Sequence, residues 1–530
     1  MTVHLSYAQP LTLDELQEIA LDETKIALAP DARARIGMGR AVLINALEQG
    51  TRVYGLNTGL GHTRDVDVPT EVLDQYQVDI VTSHASAVGE PLPDPEVRAI
   101  MAARLAGACR GYSGLSTTVA EFYAAMLNAG VVPSVPREGS IGAADLGTLA
   151  AVASTMIGRG TARLNGETLP STVALERAGL EPVRLGLKEG LAVVSENSYS
   201  IGVGALALGD MARTLRLADV AAAMTMEAAR SSLSPFDPEV AIARPFRGQA
   251  EVAARILRLL DGSYLLDPAA ASSLQDPLSI RTVAQVHGAA RAVFQHLAEV
   301  VETELNASDD NPMTSPDTGR ALSTGNFHPM ELALGFESIR VALAHLALVC
   351  ERRIGVIGME LWSARKATDE ATLPADAILT RGLAGYAHAA ISARIKTLAN
   401  PVTIHIPSLD HGQEDHATAA PLAVDLAREV SDRLNAMLAG EIIVAATLLS
   451  WRPDVALGAG TRPYFDAVVQ AAREGGPDEL GADLVARATP RLLALTPRRI
   501  DLDDESLAAI PLFGARERKA ASHEEHEDVG

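Results

Sequence analysis

A mainly α-helical protein, with a bundle of long helices behind a loop-rich N-terminal region, is the fold class that three features of the sequence predict. Apolar residues recur at helical spacing over stretches of twenty residues and more, strand-like runs are short and scattered, and Gly- and Pro-punctuated loops concentrate in the first 200 residues. Over 284–305, Val286, Ala290, Val293, Leu297, Val300 and Glu304 share one helical face, with charged residues mostly elsewhere. Segments 199–230, 338–357 and 423–449 follow the same period, some of them apolar on most sides, which is the pattern of helices inside a bundle. Strand signals, such as the run 402–406, stay short. The loops 54–62, 88–93, 131–142 and 185–190 give the first region its different texture, and loops on a rigid scaffold are where function usually sits. The expected division is a loop-rich active-site domain over 1–200, a long-helix bundle over 201–514, and a charged, disordered tail over 515–530 with almost nothing to bury.

Composition narrows the function classes. The 530 residues hold 45 Lys and Arg against 67 Asp and Glu, a formal charge of −22, and so lack the clustered basic face that a nucleic-acid binder needs. At 48% hydrophobic, 21% charged and 4% aromatic, the chain is globular with an aliphatic core. Cys109 and Cys350 are too few for a disulfide framework and form no CxxC pair, which suits structural thiols in a reducing cytoplasm. The first ten residues have no basic stretch leading into an apolar run, and no uncharged run approaches the roughly 18 apolar residues of a membrane span. A cytoplasmic location without membrane partners is the expectation. No metal site is expected either, because His405, His411 and His416 lie in a Pro- and Gly-containing loop without i,i+4 spacing or Cys partners. Gly55, Gly59 and Gly61 make no dinucleotide fingerprint, since no βαβ pattern surrounds them.

Several blocks of sequence carry a stronger signal. Tyr54-Gly55-Leu56-Asn57-Thr58-Gly59-Leu60-Gly61 is followed by Ser83-His84-Ala85, Arg110-Gly111-Tyr112-Ser113-Gly114, Pro136-Arg137-Glu138-Gly139-Ser140-Ile141-Gly142-Ala143 and Leu185-Gly186-Leu187-Lys188-Glu189-Gly190-Leu191-Ala192. Then come Leu274-Gln275-Asp276-Pro277, Asp310-Asn311-Pro312, Gly325-Asn326-Phe327-His328 and Gln413-Glu414-Asp415-His416. In type and order, from about residue 30 to 500, this resembles the histidine and aromatic amino-acid ammonia-lyase family. Ser83-His84 and Gln413-Glu414-Asp415-His416 resemble the histidine enzyme in particular, and polar groups of this kind suit an imidazole ring.

The resemblance implies a fumarase/aspartase-like helical architecture and a homotetramer whose active sites draw loops from several subunits. It also brings a departure. Family members build an electrophile, methylidene-imidazolone, from an Ala-Ser-Gly triad, and the corresponding stretch here is Ala143-Ala144-Asp145, one residue shorter and without serine. Ala144 has no hydroxyl to lose, so the prosthetic group is expected not to form and no cofactor is expected. Ammonia is a poor leaving group, whereas an amine that is already quaternary leaves without activation. The expected activity is therefore α,β-elimination from histidine or, better, from an N-methylated histidine betaine, as in the family's ergothionase branch, which releases trimethylamine. An ordinary histidine ammonia-lyase and an inactive paralogue serving as a partner subunit are the alternatives.

The resemblance also assigns roles. Tyr54 aligns with the tyrosine that removes the β-proton; an unperturbed phenol titrates near about 10, so neighbouring cations such as Arg64 or Lys396 are expected to favour its phenolate. Lys396 is further expected to neutralise charge on the ring or a thione sulfur. His84 and Glu414 would hold the ring, Arg281 would clamp the carboxylate, and Gln275, Asn326 and Phe327 would line the pocket. Ser195 and Glu196 stand where the family has Asn-Gly, and Glu196 is expected to face the cationic amine. Each has a plainer alternative: a packed loop tyrosine, a satisfied structural histidine, a structural ion pair at Arg281, a surface lysine, a solvated Arg64.

Overall fold

The computed structural model describes residues 2–368, 373, 378, 384–475 and 481–502; the charged tail lies outside them. Helix accounts for 61% and strand for 7%, in keeping with the mainly helical class. Four long helices, Ser198–Ala229, Val283–Leu305, Met330–Ala367 and Ala420–Ser450, stand where the periodicity puts them. In the second of these, Ala290, Phe294, Leu297, Val301 and Leu305 are buried, an i,i+3/i+4 seam along one side. Met330–Ala367 runs beyond the expected 338–357 at both ends. At its N-terminal end the buried Leu332, Ala333 and Phe336 continue the apolar pattern beyond the expected range, and Glu331 in the first turn and Arg365 and Lys366 in the last complement the helix dipole.

Two helices bear on the membrane expectation, and one strand expectation needs correction. Met330–Ala367 and Ala420–Ser450 are both long and apolar enough to cross a membrane by length and composition. Their most apolar windows are 50% and 89% buried by protein, so the second is a core helix. The run 402–406 is not a strand. The Val402 and Thr403 N–H groups donate to the Glu337 carboxylate at 2.7 and 3.1 Å, the His405 N–H turns back to the Val402 carbonyl, and Ile404 is exposed. β-Branched residues favour extended backbone, but here the partner is a side chain and not a strand edge.

The strands that do form are short. Thr2–Leu5 pairs in parallel with Lys25–Leu28, Val88–Pro91 antiparallel with Pro136–Glu138, and Met313–Ser315 antiparallel with Arg320–Leu322. Thr161–Leu164 lies between Val132–Pro133 and Glu167–Pro170.

By contacts the chain divides into two units: residues 1–209, 297–337 and 401–425 in the first, 210–296, 338–400 and 426–530 in the second. Segments 297–337 and 401–425 thus join the loop-rich region, which a single cut at 200 does not capture. In the first unit the almost wholly buried helix Asp94–Cys109 packs between Leu13–Leu21 and Thr117–Ala129. The second unit holds buried ion pairs, Arg353 with Glu441 and Asp219 with Arg291, along the helices.

Candidate active site

The Tyr-Gly-Leu-Asn-Thr-Gly block is a folded turn whose residue types are dictated locally. Val53 and Leu56 bury against Leu43, and the Asn57 side chain closes the turn by accepting from the Val53 N–H at 2.8 Å and donating to the Thr51 carbonyl at 3.0 Å. Gly55 has φ +67°, which favours glycine, and a Cβ there would have to displace the Leu191 side chain, whose Cδ2 would lie 2.3 Å away. This leaves the half-buried Tyr54 side chain held, its hydroxyl accepting from the Gly61 N–H at 2.9 Å.

The electrostatics around Tyr54 differ from the expected cationic setting. Burial pushes its pKa up, and Glu414 and Asp410 push the same way; the Gly61 N–H and Arg64 pull it down without prevailing. Arg64 is exposed, its guanidinium 3.9 Å from Asp65. Lys396 belongs to the second unit, where its ammonium pairs with Glu351 at 3.2 Å. The net shift is upward because desolvating a phenolate beside two carboxylates outweighs one screened cation.

His84 ends the helix Leu73–His84 and sits close enough to Glu414 for its charge to pull that carboxyl's pKa down, against burial and Asp410, which together raise it. His84 Nδ1 lies 2.7 Å from the Ile80 carbonyl. A carbonyl can only accept, so Nδ1 carries the proton and Nε2 is left to meet a ligand. Tyr54, His84 and Glu414, expected to act together, are thus grouped in the first unit.

The stretch standing for the family's prosthetic triad is pinned on every side. The Ala144 N–H donates to the Phe327 carbonyl at 2.9 Å, the Asp145 N–H to the Glu196 carbonyl at 2.7 Å, and the Thr418 hydroxyl to the Gly142 carbonyl at 2.7 Å. Ala144 takes φ +57°, in the left-handed region that favours glycine. Asp145 is fully buried, and burial lifts its pKa to about 6 although Ser140 and the Ser200 N–H hydrogen-bond it. Methylidene-imidazolone takes its methylidene carbon from a serine side chain, and residues 143–145 have none. The nearby Ser140 hydroxyl is engaged by Asp145 Oδ1 at 2.6 Å and the Ala144 carbonyl at 3.1 Å. The residues present do not fit that group. Asn326 is exposed on the same loop as Phe327, which is half-buried.

Glu196 does not face outward, which corrects the expectation of an amine contact. It is 2% exposed, and its carboxylate accepts from Arg104 Nη1 at 2.9 Å and from the Ser198 hydroxyl. Asp309 and Asp310 complete a buried carboxylate group with it, which Arg104 and Lys188 offset. Burial raises the pKa of Glu196 and Asp309, and lowers that of Lys188 to about 8. Room for the Glu196 side chain comes from Gly107, where a Cβ would lie 2.4 Å from its Oε1. Ser195 beside it is buried.

Two of the expected pocket residues lie together in the second unit. Arg281 Nη1 donates to Gln275 Oε1 at 2.5 Å, and the buried Asp276 between them accepts from the Ser232 N–H, fixing the Gln-Asp-Pro turn. Leu278, just after this turn, is exposed.

Comparison with known proteins places the chain. The aromatic amino acid lyase family model matches residues 11–471. Histidine ammonia-lyase from Anaeromyxobacter sp. (strain K) is 39% identical over 461 residues, covering 84% of this chain and 89% of that one. Among solved structures, ergothionase from Treponema denticola, described as an ergothioneine-degrading enzyme in complex with desmethyl-ergothioneine sulfonic acid, superposes with a TM-score of 0.85 at 27% identity over 93% of this chain and 99% of its own. Histidine ammonia-lyase from Trypanosoma cruzi gives 0.83 at 29% identity over 93% and 94%. The chain belongs to the aromatic amino acid lyase family. Within it, the protein is an enzyme of the histidine ammonia-lyase-like carbon–nitrogen lyases.

Proposed function

We propose that this enzyme eliminates a tertiary amine from an N-methylated histidine betaine, of the ergothioneine type and releasing trimethylamine, without a methylidene-imidazolone group. The observation that carries the reading is the hydroxyl-free stretch Ala143-Ala144-Asp145 in a chain that keeps Tyr54, His84 and Glu414 grouped. An unactivated ammonium does not leave readily, whereas a quaternary nitrogen leaves with the bonding pair as neutral amine. The Tyr54 phenolate takes the β-proton, its electrons form the carbon–carbon double bond, and the carbon–nitrogen bond breaks. His84 Nε2 and Glu414 hold the heteroaromatic ring, and Glu414 accepts its N–H. Arg281 clamps the substrate carboxylate with its fork, positioned by Gln275. Lys396 offsets charge that develops on the ring or a thione sulfur. The product is a conjugated acrylate.

The active unit on this reading is a cytoplasmic homotetramer with sites shared between subunits. Apolar side chains left uncovered on Met330–Ala367, among them Val341, Met359 and Trp362, support association. Exchanging Arg281 for Lys removes the bidentate fork and keeps the charge, so KM for the betaine is expected to rise about ten-fold or more with a smaller change in kcat, measured by steady-state kinetics.

The deciding experiment offers purified protein ergothioneine, hercynine, dimethylhistidine and histidine separately and follows acrylate formation by ultraviolet absorbance. Turnover of the trimethylated betaines ergothioneine and hercynine, and not of dimethylhistidine or histidine, is expected, with an intact mass equal to that encoded, since forming the prosthetic group would expel water. The 39% identity to a histidine ammonia-lyase favours a second reading, conversion of histidine to urocanate and ammonia. Histidine turnover would establish it and overturn the first. No turnover of any of the four would move the weight to an inactive paralogue.

A further inference from the structure

The tyrosine loop is tied to a segment 348 residues away. His62 Nδ1 lies 2.7 Å from Asp410 Oδ1, and the His62 N–H donates to Asp410 Oδ2 at 2.9 Å, so one carboxylate grips both side chain and backbone. The approach is made to measure. Gly61 has φ +53°, and a Cβ on it would stand 2.1 Å from Asp410 Oδ2. On the other side Asp410 and His411 both take left-handed backbone, φ +46° and +56°, which turns the carboxylate toward the loop and sets the His411 ring edge-on to His62 with centroids 5.0 Å apart.

Both ends of this contact lead to a reacting group. Gly61, next to His62, donates its N–H to the Tyr54 hydroxyl. Asp410 sits in a tight turn closed by reciprocal backbone hydrogen bonds between Leu409 and Glu414, at 2.8 and 3.3 Å. We propose that the His62–Asp410 pair is a positioning latch that holds the loop carrying Tyr54 against the turn carrying Glu414, so that proton acceptor and ring-binding carboxylate are set at one spacing. The inference rests on the roles assigned to Tyr54 and Glu414 above. Neither His62 nor Asp410 touches the substrate; they act through Gly61 and the 409–414 turn.

The test has two arms. Arg64, exposed two residues beyond His62, offers trypsin a cut inside the loop. His62→Ala and Asp410→Ala are each expected to raise the rate of cleavage after Arg64 about five-fold or more with an unchanged melting temperature, while His62→Gln, which keeps a donor to Asp410, stays near wild type. With the methylated substrate, each alanine variant is expected to lose about ten-fold in kcat with KM within about two-fold, and the double variant to lose no more than the worse single. Alanine variants cut at the wild-type rate, or kinetic losses that simply add, overturn the latch. If no substrate is turned over the function proposed above fails, and digestion alone still decides the latch.

Discussion

Replacing Tyr54 by Phe lowers turnover of the methylated substrate by about 10³-fold and leaves the melting temperature unchanged. The magnitude is that of losing a positioned general base, about 10² to 10⁴. The ring keeps its place because Val53 and Leu56 anchor the turn and the Asn57 side chain closes it, none of which involves the hydroxyl. What is lost is the oxygen that accepts from the Gly61 N–H. The pH dependence has a definite sign. The active form is deprotonated, and burial with Glu414 and Asp410 raises the pKa, so kcat/KM climbs with pH on its acid limb. Arg64 pulls that pKa down, and Arg64→Met should therefore move the limb to higher pH. Steady-state kinetics across pH measure both effects. A Tyr54→Phe enzyme that kept more than a tenth of wild-type turnover would remove Tyr54 from the role of base.

Arg104→Met is expected to be the most damaging single change to the fold, costing about 3–5 kcal/mol or abolishing soluble protein. Arg104 is fully buried and faces Glu196 at 2.9 Å and Asp310 at 3.3 Å, while its second terminal nitrogen also donates to the Ala192 carbonyl. Without it, Lys188 is left as the cation near three buried carboxyls. Glu196 and Asp309, whose pKa burial already raises against the pull of Arg104, then favour protonation still more strongly. A carboxyl whose folded pKa is raised binds protons on folding, so the variant regains stability as pH falls and loses it as pH rises. Urea denaturation at pH 5.5 and 8 reads the difference, and Arg104→Met/Glu196→Gln should recover part of the loss. A cost below about 1 kcal/mol at pH 8 would contradict the ion-pair account.

How much of this was legible in the sequence depends on the range over which each feature is decided. The long helices were readable because burial repeats at 3.6 residues, and three of them end within three residues of the expected ranges; Met330–Ala367 runs further because its buried Leu332, Ala333 and Phe336 precede the expected range and its last turns are polar. The run 402–406 misled because side-chain type reports a preference for extended backbone, while a strand also needs a neighbour, and Glu337 took the free N–H groups instead. In the candidate site, Tyr54, His84 and Glu414 stood out from the sequence as candidates through their motif frames, and the fold groups them in one unit. The Tyr54 setting was not, since Asp410 enters from far along the chain and outweighs the nearby Arg64. Glu196 was misjudged for the same reason. A carboxylate next to a pocket motif looks available until the fold shows Arg104 behind it. His62 stood in view as part of the loop, but its partner could not be inferred from sequence.

The glycine at position 107 makes the history of this site directional. A Cβ there would come within 2.4 Å of Glu196 Oε1, so the carboxylate reaches its present place beside Arg104 only with glycine at 107 and would have to shift off it otherwise. Once Glu196 is in place and paired with Arg104, Gly107→Ala has to displace that carboxylate, whereas without Glu196 it would be an ordinary helix substitution, even a favourable one. Gly107 and Glu196 are therefore an ordered pair of changes: the first permits the second, and the second locks the first.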